Sequence, residues 1–260
     1  MCLRSMKRRQ SITGKLIPFI ALMILVCIWE LICITGLVPG YMLPSPVRVV
    51  GALIEEFPIM MGHAGVTVVE AAAGLLIGVV LGFVTAALMD AFEPIRKAVY
   101  PLLIVSQTIP TVAIAPLLIL WFSYGLTPKI ILVVLTSYFP LSVGLLDGFA
   151  AIDDDQINMM RSMKATKWQI FLHLKLPGAL PSFFSGLKIA VSYSLVGAVV
   201  SEWLGGTVGL GVYMTRVKKS YSYDKMFAVI ILVSAVSLLL MAVVNILSKK
   251  AMPWKDCRDN

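Results

Sequence analysis

Charge is scarce in this chain: across 260 residues, Asp, Glu, Lys and Arg together make up 14%, against about a quarter in ordinary soluble domains. That scarcity excludes a water-soluble globule of usual composition. Histidine is scarcer still. His63 and His173 are the 2 histidines; they lie far apart, in predicted loops or interfaces, and neither suggests a metal ligand or a nucleophile–base pair. The 4 cysteines, Cys2, Cys27, Cys33 and Cys257, show no metal-ligand spacing, and two fall inside the first apolar run. Neither a disulfide framework nor a zinc site is indicated. No G-x-x-x-x-G-K-[ST] phosphate cradle occurs, so ATP-driven work would have to be powered from another polypeptide. The N-terminus also lacks a short h-region with a small-x-small cleavage site. Its basic stretch "MCLRSMKRRQSITGK" therefore reads as the lead into an uncleaved first span.

What the chain has instead is hydrophobic side chains, 59% of the total. Apolar runs of about 20 residues recur, each long enough as helix to cross about 30 Å of hydrocarbon. Six spans can be drawn: Leu16–Leu37, Gly65–Met89, Val99–Trp121, Ile130–Phe149, Phe183–Leu204 and Met226–Leu247. The expected fold class is all-α, a polytopic membrane protein with about six transmembrane helices. In a soluble protein the net charge of +8 would raise the question of nucleic acid; here basic residues at span ends set orientation. The groups Arg4 to Lys15, Arg96 and Lys97, Arg161 to Lys175, and Lys249 to Arg258 fall on one side. They outnumber Arg48, Lys129, Lys225 and the Arg216–Lys219 cluster on the other, while Lys188 is left within a span. Both termini are thus expected in the cytoplasm, with residues 1–15 and 251–260 as cytoplasmic segments flanking a single transmembrane domain, 16–250.

Several stretches suggest what the spans do. After the first one, "YMLPSPVRVVGALIEEFPIMMGH" reads as a stiff turn set by Pro44 and Pro46. A short amphipathic surface helix follows, with Val49, Leu53 and Ile54 on one face. Span two carries Gly74, Gly78 and Gly82 on one helical face. Small residues at this spacing let another helix approach closely, although glycine is also simply common in membrane helices. Span three contains Pro101, Pro110 and Pro116, and a proline inside a helix frees a carbonyl that needs a polar partner. Gln107, Thr108 and Thr111 surround the kink at Pro110. Two roles stay open for them: lining a solute pathway, or hydrogen bonding between helices. The acids Glu30, Glu70, Asp147 and Glu202 all lie toward span ends, where water is near, and no Asp–His–Glu chain links them into a proton relay.

One segment differs in character from the spans around it, "RSMKATKWQIFLHLKLPGALPSFFSGLKIA", residues 161–190. Two helix-compatible pieces meet near Lys164–Thr166. Trp168, Phe171 and Leu172 fall at i, i+3 and i+4 on one apolar face, and Arg161, Lys164, Lys167 and Lys175 keep the segment cytoplasmic. Pro177 and Pro181 are expected to end this piece and re-aim the chain into span five. The physics permits a helix–turn–helix offering aromatic and methionine side chains to a partner groove, or equally a helix snorkelling on lipid headgroups.

The same segment resembles the EAA loop of ABC importer permeases, whose pattern runs E-A-A, three residues, Gly, nine residues, then I-x-L-P. Leu174-Lys175-Leu176-Pro177 matches the end of that pattern; counting back puts Lys164 at the glycine and Asn158, Met159 and Met160 at E-A-A. If the turn needs φ > 0, lysine there costs about 1–2 kcal/mol. The resemblance extends along nearly the whole chain, through "IWELICITGLVPGYMLPSPVRVVGAL", "APLLILWF", "FPLSVGLLDG", "SGLKIAVSYSLVGAVVSEWLGG" and "GLGVYM", to the nitrate/sulfonate/taurine-type permeases. Within that family "YPLLIVSQTIPTVAIAPLLILWFSYGLTPK" and "TVVEAAAGLL" look most similar to permeases for thiamine-pyrimidine or riboflavin-type precursors. Related members often carry Gly where this chain has Ser123.

The resemblance implies a type I ABC importer permease fold and a non-enzymatic subunit of a bacterial inner-membrane importer. It implies two copies of the chain forming the pathway, a separate ATPase in two copies carrying ATP-Mg, an extracytoplasmic solute-binding protein, and no cofactor or metal on this chain. Coupling to the ATPase would fall to a loop at about 151–182, through Arg161, Met163, Lys164, Ala165, Thr166, Trp168, Phe171 and Pro177. Gln107, Thr108, Pro110 and Thr111 are solute-pathway candidates, and Gly74, Gly78 and Gly82 helix-packing candidates. The solutes implied are a thiamine-pyrimidine or riboflavin-type precursor, with sulfonate, taurine or nitrate as the alternative. A secondary carrier is the rival class, and it would need an essential buried acid. A membrane scaffold would have no use for the kinked, polar third span.

Overall fold

The computed structural model describes residues 2–253, with side chains from Leu16 onward. Every regular element among the described residues is helical. In chain order these are α1 (Cys2–Ile34), α2 (Pro46–Glu55), α3 (Phe57–Ala91), α4 (Glu93–Thr108), α5 (Thr111–Phe122), α6 (Leu126–Ala150) and α7 (Asp154–Ser162). Then come α8 (Lys167–Ile170), a π-helical turn (Phe171–Lys175), α9 (Leu176–Gly205), α10 (Leu210–Lys219) and α11 (Tyr223–Ala251). Among the described residues five helical runs are long and apolar enough to span a bilayer, and the bent pair α4 with α5 has the composition of a sixth span or a re-entrant loop.

Two expectations about continuity need correction. Val99–Trp121 is not one kinked span: α4 and α5 are separate helices bent by 99°. The cause is local. Ile109, restricted by the proline after it, is extended at φ −83°, ψ 119°, and Pro110 follows at φ −61°, ψ 123°. Two successive extended residues stop a helix. Conversely, Pro177 and Pro181 do not end the basic segment, because Lys167–Gly205 runs on as one 39-residue helical stretch. Its π turn closes with the Leu176 N–H on the Phe171 carbonyl, and this wider turn makes room for the Pro177 ring, which an α turn would press against a carbonyl. At 1.5 Å per residue the run is roughly 58 Å long, about twice the hydrocarbon thickness. Part of it therefore stands outside the membrane.

The helices group into two units. The first holds α1, α2 and Arg216–Ile231, the junction of α10 and α11. Ser45 caps α2 by accepting the Arg48 N–H at 3.4 Å, and Pro46 pre-sets its first turn. Val49 and Ala52 are buried while Ile54 is 71% exposed, so the buried stripe of α2 is not the predicted Val49, Leu53, Ile54 face. Trp29 packs on Phe227 with ring centroids 5.6 Å apart, and Lys225 is paired with Glu56.

The second unit, Met60–Thr215 and the chain from Leu232, carries the features of functional interest. Gly74, Gly78 and Gly82 line the face of α3 against α6. A Cβ on Gly74 would fall 2.5 Å from Val133, and one on Gly78 2.6 Å from the Ser137 hydroxyl. On its other side α6 meets α9 in the antiparallel sense, and a Cβ on Gly186 would fall 2.5 Å from the Pro140 carbonyl. Close backbone approach replaces the hydrophobic drive that lipid does not supply. Ala71, Val133, Leu195 and Ala198 form the core between these helices, with Val236 and Leu240 of α11 against it.

Candidate functional site

The segment between α6 and α9 is built by two capping motifs back to back. At the end of α7 the Lys164 N–H donates to the Arg161 carbonyl (2.8 Å) and the Ala165 N–H to the Met160 carbonyl (3.0 Å). This is a Schellman motif, which wants a left-handed residue at Lys164, and Lys164 adopts φ 61°. Thr166 then opens α8 with a capping box. The Gln169 N–H donates to Thr166 Oγ1 (3.3 Å) and the Thr166 N–H donates to Gln169 Oε1 (2.8 Å), satisfying two orphan donors reciprocally.

The predicted apolar face of this segment splits in two. Phe171 turns inward, its ring 5.5 Å from that of Phe149, beside a core of Ala86, Leu145, Phe149 and Ala179. Trp168 stacks on Phe171 at 5.8 Å but stays 68% exposed, alongside Met159 at 67% and Met163 at 72%. Arg161, Lys164 and Thr166 are exposed, and Ala165 and Pro177 are half-buried. Lys175 does more than set local charge: its Nζ lies 2.7 and 2.9 Å from the two Asp90 carboxylate oxygens. That pair ties the base of α9 to the end of α3. The result is a rigid root under an exposed aromatic and methionine tip.

Between α4, α6 and α9 lies an open cleft of about 570 Å³ whose lining includes Gln107, Phe139, Asp147, Ser182 and Tyr193. Of the four pathway candidates, Gln107 reaches this cleft and Thr108, Pro110 and Thr111 are not among its lining residues. Thr108 turns its hydroxyl back to the Val105 carbonyl at 2.8 Å.

A polar cluster at the other end of the unit was not foreseen. Glu70 and Glu202 do not sit near water; they are 2% and 1% exposed. Glu70 pairs with Lys129 at 2.6 Å, and Lys129, read from sequence as a surface cation, is 7% exposed. Glu202 and two residues of α3 satisfy successive backbone N–H groups at the start of α10. Gly209 donates to His63 Nδ1 (3.0 Å), Leu210 to Thr67 Oγ1 (2.9 Å) and Gly211 to Glu202 Oε2 (2.6 Å). Thr67 in turn donates to Glu202 Oε1 at 2.7 Å. His63 thus lies within α3, not in a loop. The signal available in sequence was the i, i+4 spacing of His63 and Thr67 before a glycine-rich helix start, which leaves orphan N–H groups to be satisfied. Glu202 is engaged in holding α10 and Glu70 in pairing Lys129 of α6; neither belongs to a chain of proton carriers.

A bent helix pair, an open cleft and a rooted helix–turn–helix in a multi-pass helical protein fit a transport subunit. Residues 74–252 match the family model of the binding-protein-dependent transport system inner membrane component, and the chain belongs to that family. It is 37% identical to a probable ABC transporter permease protein of Haemophilus influenzae, over 86% of this chain and 91% of that one. It is 36% identical to the formylaminopyrimidine transport permease protein ThiX of Halalkalibacterium halodurans, over 92% and 95%. Its fold is similar to that of a chain of the MetNI methionine ABC transporter, solved in inward-facing conformations, with TM-score 0.61 and 19% identity over 74% of this chain and 94% of that chain. The chain is an ABC importer permease of the inner membrane, as the sequence resemblance implied. Membership of the family brings with it a partner ATPase that uses ATP, and a binding protein.

Proposed function

We propose that two copies of this chain, with 16–250 acting as one permease domain, enclose the pathway of an importer for a thiamine-pyrimidine or riboflavin-type precursor. Two copies of a separate ATPase hold the ATP-Mg, and this chain binds no cofactor of its own. The observation that carries the reading is the rooted loop. Arg161, Met163, Lys164, Ala165, Thr166 and Trp168 form a docking tip, and Phe171 and Pro177 fix it to the bundle, so a push on the tip moves α3, α6 and α9 together. ATP needs to favour one of two packings of these helices for this to drive transport. Gln107, Thr108, Pro110 and Thr111 mark the break through which solute passes, and Gly74, Gly78 and Gly82 keep α3 against α6. Both termini lie in the cytoplasm. Pairing of Lys129 with Glu70 and Lys225 with Glu56 neutralises two cations on the opposite side and supports that orientation. The identity to a relative named for formylaminopyrimidine supports the solute class.

The test is uptake into proteoliposomes holding the permease, its ATPase and its binding protein. We expect accumulation of a pyrimidine or flavin precursor that needs internal or external ATP on the ATPase side and the loaded binding protein. Accumulation that follows an ion gradient without ATP would overturn the reading in favour of a secondary carrier.

A further inference from the structure

The cleft between α4, α6 and α9 has a charge character that bears on its ligand. Asp147 is its charged lining residue, and no Lys, Arg or His joins it. Lys188 is half-buried on α9 and lies outside the lining, and Lys129 of α6 is paired with Glu70. Gln107, Asp147 and Tyr193 make no side-chain hydrogen bond or ion pair among the described residues. Their polar atoms are available. Phe139 and the half-exposed Tyr193 supply aromatic surface on the same walls. A volume of about 570 Å³ falls in the range of about 300–1,000 Å³ that small-molecule sites occupy.

We propose that this cleft is a solute site of the permease itself, selective for neutral or cationic planar heterocycles bearing an amine, and against anions. The inference rests on the permease reading above and adds a site and a selectivity to it. The chemistry follows from the lining. The Asp147 carboxylate accepts N–H bonds from an exocyclic amine or a protonated ring. The Gln107 amide offers both a donor and an acceptor to ring nitrogens and carbonyls. Tyr193 and Phe139 provide faces for stacking, which strengthens when the ring is cationic. A sulfonate or nitrate needs cationic donors, and here it would meet an uncompensated carboxylate.

The experiment uses the permease–ATPase complex in nanodiscs without binding protein, so that selectivity belongs to the membrane subunit. Saturation-transfer NMR would compare 4-aminopyrimidine, pyrimidine lacking the amine, and ethanesulfonate. We expect transfer to 4-aminopyrimidine that falls about tenfold in Asp147→Asn, the loss of one charge-assisted hydrogen bond. Transfer to pyrimidine should not change in that variant, and ethanesulfonate should show none. Gln107→Ala and Tyr193→Ala repeat the test if Asp147→Asn does not assemble, and each should weaken 4-aminopyrimidine. Ethanesulfonate transfer equal to that of 4-aminopyrimidine, no transfer to 4-aminopyrimidine, or transfer insensitive to these variants would overturn the proposal. ATP-driven uptake of ethanesulfonate by the complete importer would also overturn it, and the pyrimidine or flavin solute with it, while leaving the ATP-driven permease intact. Uptake independent of ATP would instead remove the permease reading, with the NMR result still deciding the site.

Discussion

Lys164 occupies a left-handed backbone position that its residue type disfavours, and Lys164→Gly should make the α7–α8 loop more stable. At φ 61° the lysine Cβ crowds the following carbonyl, at a cost of about 1–2 kcal/mol. Glycine removes that strain but gains freedom in the opened loop, which offsets about 0.5–1 kcal/mol. The net stabilisation is about 0.5–1 kcal/mol, a two- to fivefold lower opening constant by the usual conversion. The readout is hydrogen exchange at the Lys164 and Ala165 amides, whose bonds to the Arg161 and Met160 carbonyls close the motif. Both should exchange about two- to fivefold more slowly in Lys164→Gly. Lys164→Ala is the control, because it removes the charge but keeps the Cβ. It should leave exchange unchanged. Equal slowing in the alanine and glycine variants would show that charge, not backbone strain, sets loop stability and would refute the reasoning.

Other substitutions test the packing. Ser123 sits at φ 61°, ψ −179°, a region that costs about 1–3 kcal/mol for any residue but glycine; Ser123→Gly should raise the thermal midpoint of the nanodisc-embedded protein. Glu70→Gln strands the Lys129 charge in the bundle and should destabilise by about 3–5 kcal/mol in denaturant titrations. The double replacement Glu70→Leu with Lys129→Met should recover most of that loss. Glu202→Ala removes two hydrogen bonds to a buried carboxylate, and exchange at Leu210 and Gly211 should accelerate by about tenfold or more, with little change in the α7–α8 loop.

How far the sequence discloses this protein depends on whether a feature is periodic, local or cooperative. Span positions were legible because apolar runs of bilayer length have few other uses. The glycine row of α3 was legible as a pattern, but its partner helix α6 was not, since pairing is a tertiary fact. Lys164 and Ser123 could be flagged because each replaces a glycine in the resembled family, and both adopt positive φ. The 99° break was underread as a kink: the proline was visible, but the extended geometry of Ile109 was needed to end the helix. Pro177 was overread as a terminator, because a π turn is an accommodation that composition does not signal. The largest miss was the His63, Thr67 and Glu202 cluster. Position near a span end suggested solvent, yet these side chains are covered by the glycine-rich start of α10, whose N–H groups they satisfy.

Trp168 is the centre of the proposed docking surface for the ATPase. In a chain with Cys2, Cys27, Cys33 and Cys257 replaced by serine, Trp168→Cys would be labelled with a membrane-impermeant maleimide, with and without the ATPase subunits. Exposure of 68% at this position predicts fast labelling of the permease alone. Assembly with the ATPase should protect the thiol by about tenfold or more, as burial at an interface hot spot requires. Labelling at the same rate in the assembled complex would contradict the docking role of this loop, and with it the route by which ATP is said to move the bundle.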